Sequence, residues 1–109
     1  MLASHLLLIV VASVRPAVGP IPKRDAWYAC LDAYAQTQLA GSTSPQAVAS
    51  GGLFSCWQER REFQIARWRI FAAMAGKKNS SPRDLNSAFA KEDRLAAVHI
   101  INLVVHFRQ

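Results

Sequence analysis

The sequence has few of the residues from which metal centres and catalytic sites are built. Its 109 residues include two cysteines, three histidines and seven acidic residues. A structural zinc site needs four suitably spaced ligands, and no histidine lies close in sequence to Cys30 or Cys56. No G-x-S-x-G nucleophile motif occurs either. We therefore predict no metal centre, no cofactor and no catalytic residue.

The sequence also lacks an apolar run that could span a membrane. Residues 6–14 are apolar apart from Ser13, whereas a spanning helix needs about twenty such residues. A run of this length is typical of a signal peptide, although no lysine or arginine precedes it. We predict a signal peptide over residues 1–19, with an ambiguous cleavage site, and an exported protein, periplasmic or secreted. An uncleaved anchor and a segment of the fold are the alternatives.

Strand-like alternation and internal repeats are absent as well. The chain is 51% hydrophobic and 18% charged, which is typical of a packed helical protein. Apolar residues recur at three- and four-residue intervals over 25–40, 45–75 and 82–107. We predict one all-α domain of three helices at 25–109. An extended linker at 20–24 precedes it, since the two prolines of PIPK disfavour helix.

Polar residues beside prolines mark the helix starts. Ser44 is placed to cap the second helix, while Pro45 takes its first position, where a missing N–H costs nothing. Ser81 and Pro82 repeat this arrangement for the third helix. Asp25 is the predicted cap or first-turn acid of the first helix.

Two adjacent glycines interrupt the second helix. Gly51 and Gly52 each cost roughly 1 kcal/mol relative to alanine inside a helix. We predict either a kink or a very close helix contact at this point.

The two cysteines lie at matching depth in the predicted N-terminal hairpin. The turn is centred near Ser42, with Cys30 about twelve residues before it and Cys56 about fourteen after it. In antiparallel helices these positions come nearly level, and both fall on inward faces. Buried thiols are the alternative if the protein is not exported. With export, we predict a Cys30–Cys56 disulfide that staples the hairpin.

Several features together resemble small exported α-helical proteins of proteobacteria. They are Tyr28 two residues before Cys30, the start at Ser44-Pro45, the WQER sequence after Cys56, and a hydrophobic final helix ending in Arg108. The resemblance implies a helical fold with one disulfide between helices. It implies no activity, because those proteins have no established function to carry over.

Glu92, His99 and His106 line one edge of the third helix at seven-residue intervals. That spacing corresponds to about 10.5 Å along the axis, too far for one metal ion without further ligands. We interpret the histidines as satisfied residues at the border of the apolar stripe. We expect no enzyme, and a small envelope enzyme or an enzyme inhibitor is the alternative.

The second helix carries a candidate interface. We predict that its core stripe contains Gly52, Phe63, Ile70, Phe71 and Met74. A second stripe, roughly 130° away, contains Phe54, Trp57, Arg61, Ile65 and Trp68. This second stripe either packs against the third helix or forms an exposed aromatic and arginine surface of the kind enriched in binding hot spots.

The third helix is apolar on two faces. Ile100, Leu103 and Phe107 are predicted to face inward, whereas Val98, Ile101 and Val105 fall on the opposite side. We predict a homodimer contact through that opposite face. Membrane-surface docking, another protein partner and simple exposure are the alternatives.

The net charge of +6 favours anionic partners in general. The basic residues of the second helix and its loop are spread around the axis: Arg60, Arg61, Arg67, Arg69, Lys77 and Lys78. This spread, together with export, disfavours nucleic acid. We expect an exported, non-enzymatic interaction module acting through a protein partner or self-association, with an anionic envelope component as the alternative ligand.

Overall fold

A computed structural model of the chain describes residues 19–74 and 81–109. Within these residues the chain forms four helices and no strand: α1 Pro20–Gln38, α2 Pro45–Ser55, α3 Trp57–Met74 and α4 Pro82–Arg108. The predicted all-α class is confirmed. α1 packs mainly along α3, and α2 packs mainly along α4. Residues 1–18 of the predicted signal peptide lie outside the described part of the chain.

The first helix begins at Pro20, so the predicted extended linker at 20–24 is wrong. A proline in the first turn is tolerated because the N–H that it lacks would have no partner within the helix. Gly19, rather than Asp25, is the N-cap. The Gly19 carbonyl accepts a hydrogen bond of 3.2 Å from the Lys23 N–H. The two prolines therefore start a helix instead of preventing one.

Both serine caps are present as predicted. Ser44 Oγ accepts a hydrogen bond from the Ala47 N–H at 3.1 Å. The Asp84 N–H donates to Ser81 Oγ at 3.4 Å, and the Ser81 N–H donates to Asp84 Oδ2 at 2.9 Å. This reciprocal capping box satisfies two N–H groups at the start of α4.

The predicted second helix is divided into α2 and α3 at Cys56, so residues 19–74 and 81–109 form four helices rather than the predicted three. Cys56 leaves helical geometry, with φ −100° and ψ 26°. The Cys56 N–H still donates to the Gly52 carbonyl at 2.9 Å, and the Cys56 carbonyl accepts from the Arg60 N–H at 3.1 Å. The break thus falls at the disulfide, with helical hydrogen bonds on either side of it.

The two glycines mark a close helix contact. A Cβ on Gly52 would lie 2.7 Å from Ile100 Cδ1 of α4 and 3.2 Å from Tyr34 Cδ1 of α1. A Cβ on Gly51 would overlap the Tyr34 hydroxyl. α2 therefore approaches Ile100 and Tyr34 so closely that a Cβ at either glycine would require these side chains to shift. Of the two predictions for this site, the close contact is confirmed.

The core lies between the four helices, each of which contributes apolar residues at helical spacing. It contains Trp27, Leu31 and Ala35 of α1, Leu39 directly after that helix, Val48 and Ala49 of α2, Cys56, Phe63 of α3, and Ala96, Ile100 and Val104 of α4. The Trp27 and Phe63 rings stack with their centroids 5.7 Å apart. The Trp27 indole N–H is buried without a hydrogen-bond partner among the described residues.

Two predicted core residues are exposed. Ile70 is 47% exposed and Phe107 is 59% exposed, although Phe63 and Ile100 on the same stripes are buried. Each exposed residue lies beyond the last buried residue of its helix, which is Ala66 in α3 and Val104 in α4. The stripe continues in sequence past the point where neighbouring helices cover it. Phe71, Met74 and Leu103 are half-buried.

Candidate binding surfaces

The predicted disulfide between Cys30 and Cys56 is present. It joins α1 to the break between α2 and α3, with the Cα atoms 6.0 Å apart. A Glu59 carboxylate oxygen lies within 4.8 Å of both sulfur atoms. Sulfur binds metals as the thiolate, so this group would become a ligand set only after reduction of the disulfide. The disulfide links α1 covalently to the break between α2 and α3.

The outer face of α3, which consists of Trp57, Arg61, Ile65 and Trp68, is exposed. The exposed fractions of Trp57, Ile65 and Trp68 are 53%, 40% and 54%. Phe54, just before the break, is 80% exposed. On the helical wheel these residues lie opposite Phe63, which faces the core. The interpretation that this stripe packs against the C-terminal helix is wrong.

Ion pairs link α4 to the inner side of α3, away from the outer face. The Arg60 guanidinium donates from Nε and Nη2 to the two carboxylate oxygens of Asp93, each at 2.7 Å. This hydrogen bonding, opposed by partial burial, raises the pKa of Arg60 above its usual value. Arg67 Nη1 donates to Glu92 Oε1 at 3.0 Å. Since both arginines flank Phe63, α4 contacts the inner side of α3 and leaves the outer face uncovered.

The outer side of α4 carries a second exposed apolar set. Val98 and Val105, two of the residues predicted for a homodimer, are exposed. The third, Ile101, is half-buried and packs against the core. Leu95 is also exposed and lies one turn before Val98. Because residues three apart lie on the same side of a helix, the spacing of Leu95 and Val98 alone indicates that Leu95 belongs to this set.

The predicted edge of Glu92, His99 and His106 does not form one cluster. Glu92 pairs with Arg67. His99 Nε2 lies 2.5 Å from Asp32 Oδ1 of α1, and its ring contacts the Tyr28 ring with centroids 4.9 Å apart. His106 is exposed. The interpretation of His99 as a satisfied border residue fits this arrangement.

Tyr28, whose ring contacts His99, lies near the charges of Glu92 and Arg24. Burial is the main cause that raises the pKa of the Tyr28 phenol, and the negative charge of Glu92 raises it further. The positive charge of Arg24 acts in the opposite direction. The phenol is therefore held in its neutral form to a higher pH than in an unfolded chain.

A cavity of about 320 Å³ opens where α1 begins, between the far end of α3 and the first turns of α4. We refer to it as the α1–α3–α4 cavity. The described residues that line it are Pro20, Ile21 and Arg24 of α1, Phe63, Arg67, Ile70 and Phe71 of α3, and Asp84, Leu85 and Ala88 of α4. No sequence pattern predicts this cavity, because a first helix that begins at residue 25 leaves Pro20, Ile21 and Arg24 outside the helix.

A second groove runs along α4. It has a volume of about 450 Å³ and passes His99, Asn102, Leu103 and His106. The described residues that line it belong to α4, apart from Gln109 directly after the helix. A depression bounded by one helix offers a ligand contact on one side only.

Comparisons with protein-family models, with curated proteins and with solved structures found no match. The features that resemble exported helical proteins are consistent with the helices and the disulfide of this structure, but they identify no family.

Proposed function

We propose that the chain is an exported, non-enzymatic helical module that binds a protein partner through the outer face of α3. The exposure of Trp57, Ile65 and Trp68 on one side of a single helix carries the proposal. Tryptophan and arginine are enriched among the residues that dominate binding energy, and Arg61 lies within this set. A rigid helix presenting such side chains at three- and four-residue spacing fits an apolar groove or a second helix.

Export is part of the proposal. A disulfide persists in oxidising compartments, which include the bacterial periplasm and the extracellular space. Among the described helices, none is long and apolar enough to cross a membrane. The predicted signal peptide at 1–19 supplies the route, and together these features support a periplasmic or secreted protein.

Protein is favoured over nucleic acid as the partner. Arg60 and Arg67 of α3 are paired with acidic residues of α4. Phosphate binding would need a row of unpaired basic side chains along one face. The outer face of α3 instead exposes three large apolar side chains around one arginine.

The test compares capture by the oxidised wild-type protein with capture by two variants. Each immobilised protein is incubated with an envelope fraction, cross-linked and examined by mass spectrometry. We expect the double variant Trp57→Ala and Trp68→Ala to lose at least one protein that the wild type captures reproducibly. Gln58→Ala, at an exposed position beside the outer face, is the matched control. Equal capture by the wild type and the tryptophan variant would contradict the proposal.

A further inference from the structure

The α1–α3–α4 cavity has the size and surroundings of a small-molecule site. Three helices each contribute residues to its lining, so a ligand there would contact more than one element of the fold. Its volume of about 320 Å³ falls at the small end of the range typical of ligand pockets. Unlike the outer face of α3, it offers a concave surface rather than a projecting one.

Most of the lining is apolar. Phe63 and Phe71 come from α3, and Ile21 and Leu85 from the opposing helices. Ile21 and Ile70 remain exposed even though they border the cavity. An aliphatic group entering the cavity would remove these surfaces from water, which is favourable by about 25 cal/mol per Å².

Arg24 is the charged group of the lining that is best placed to bind an anion. Arg24 and Arg67 contribute two guanidinium groups, and Asp84 contributes one carboxylate. Asp84 already accepts the Ser81 N–H in the capping box, at the positive end of α4. The Arg67 guanidinium lies 5.8 Å from the centre of the Phe63 ring and donates one of its five N–H groups to Glu92. Arg24 is exposed at the rim, where it can meet a ligand.

We propose that the α1–α3–α4 cavity binds a single-chain fatty carboxylate, with the aliphatic tail among Phe63, Phe71 and Leu85 and the carboxylate at Arg24. The apolar walls require a hydrocarbon body, and the small volume limits it to one short chain. A guanidinium at the rim matches a carboxylate in charge and in its paired donors. This binding is independent of the outer face of α3, so either proposal can fail without the other.

Titration calorimetry with decanoate, below its micelle concentration, tests this inference. We expect saturable binding of one decanoate per chain, and binding of decanol at least tenfold weaker. Decyltrimethylammonium should bind no better than decanol, since it places a positive charge at Arg24. No saturable binding, or equal affinity for decanoate and decanol, would overturn the proposal. Association with phosphatidylglycerol vesicles but not with free decanoate would also overturn it, in favour of a membrane surface.

Variants locate the site. Arg24→Gln should weaken decanoate binding about tenfold, the effect of one lost charged hydrogen bond. Arg69→Gln, at an exposed arginine of α3 that does not line the cavity, is the matched control. Ala88→Phe should abolish binding by filling the cavity, with helix content checked by circular dichroism. Wild-type affinity in Ala88→Phe, or equal affinities in the two arginine variants, would place the ligand elsewhere.

Discussion

Gly52 of α2 lies against Ile100 of α4 so closely that a Cβ on the glycine would come 2.7 Å from Ile100 Cδ1. Gly52→Ala should therefore destabilise the protein, although alanine is the better helix former. Overpacking costs about 1 to 3 kcal/mol and the helix gain is about 1 kcal/mol, so we expect a net loss of about 1 kcal/mol. Urea unfolding at unchanged m value measures it.

A double-mutant cycle separates the clash from other effects. Ile100→Val removes Cδ1, so Gly52→Ala should cost less in that background than in the wild type. The contact of the new Cβ with Tyr34 Cδ1, at 3.2 Å, would remain. Equal costs in the two backgrounds would show that Ile100 does not require glycine at position 52.

The disulfide is expected to supply much of the stability of so small a domain. It closes a loop with a sequence separation of 26 residues. In the chain-entropy model this stabilises the fold by about 3.5 kcal/mol. The double variant Cys30→Ala and Cys56→Ala should lose about this amount in urea unfolding. Thiol labelling of the non-reduced, denatured exported protein should detect no free cysteine, and two labelled thiols would contradict both the bridge and the export argument.

Arg108 ties the end of α4 to the end of α1. Its guanidinium donates to the carbonyls of Leu39, Thr43 and Gln38 at 3.1, 2.6 and 2.9 Å. Arg108→Ala should reduce the free energy of unfolding by about 1 to 3 kcal/mol, because helix-end carbonyls lose charged donors. The free energy of unfolding of Arg108→Lys should lie between those of the wild type and Arg108→Ala. An ammonium group cannot reproduce the planar arrangement of donors by which the guanidinium reaches three carbonyls.

An exposed arginine of the same helix provides the comparison for Arg108. Arg94→Ala should change stability by no more than about 0.5 kcal/mol. Similar losses in Arg94→Ala and Arg108→Ala would mean that the three hydrogen bonds do not contribute specifically.

The phenol of Tyr28 should ionise at a higher pH in the folded protein than in the unfolded chain. Burial is the main cause of this raised pKa. Because the unfolded phenol loses its proton first, near pH 10, stability from this group is present below about pH 10 and falls as the pH rises further. Tyr34→Phe leaves Tyr28 as the sole tyrosine, so phenolate absorbance reports it alone.

A second variant tests the electrostatic part of the Tyr28 environment. The positive charge of Arg24 lowers the pKa of Tyr28, so Arg24→Gln should raise the titration midpoint further. Identical midpoints for folded and urea-denatured Tyr34→Phe protein would contradict the predicted burial effect.

Local signals predicted the parts of the fold that local hydrogen bonds determine. Ser44 and Ser81 cap helices within three residues of their own positions, so short sequence patterns were sufficient. The Cys30–Cys56 pairing could be predicted because the sequence has two cysteines, too few for a zinc site, and both lie nearly level in the predicted N-terminal hairpin. The start of α1 was missed because proline favours the first turn of a helix but breaks its interior, and the sequence alone did not distinguish these positions.

Features that depend on how helices lie against each other could not be predicted. Arg60 and Asp93 are 33 residues apart, and their pairing depends on the register of α3 against α4. The exposure of Ile70 depends on where the neighbouring helices end. The cavity combines both conditions, since it lies where the first turn of α1 meets the far end of α3 and the first turns of α4.

The outer side of α4 is the surface on which we expect self-association. Leu95, Val98 and Val105 are exposed at helical spacing, and an isologous contact between two copies would cover all of them. Val98→Glu tests this contact better than Ile101→Glu, because Ile101 also packs against the core of its own chain. Ala90→Glu, at an exposed position elsewhere on α4, is the charge-matched control. In sedimentation at micromolar concentration, we expect a dimer for the wild type and Ala90→Glu, and a monomer of unchanged helix content for Val98→Glu. A monomeric wild type would rule out the homodimer and leave these side chains to another partner or to water.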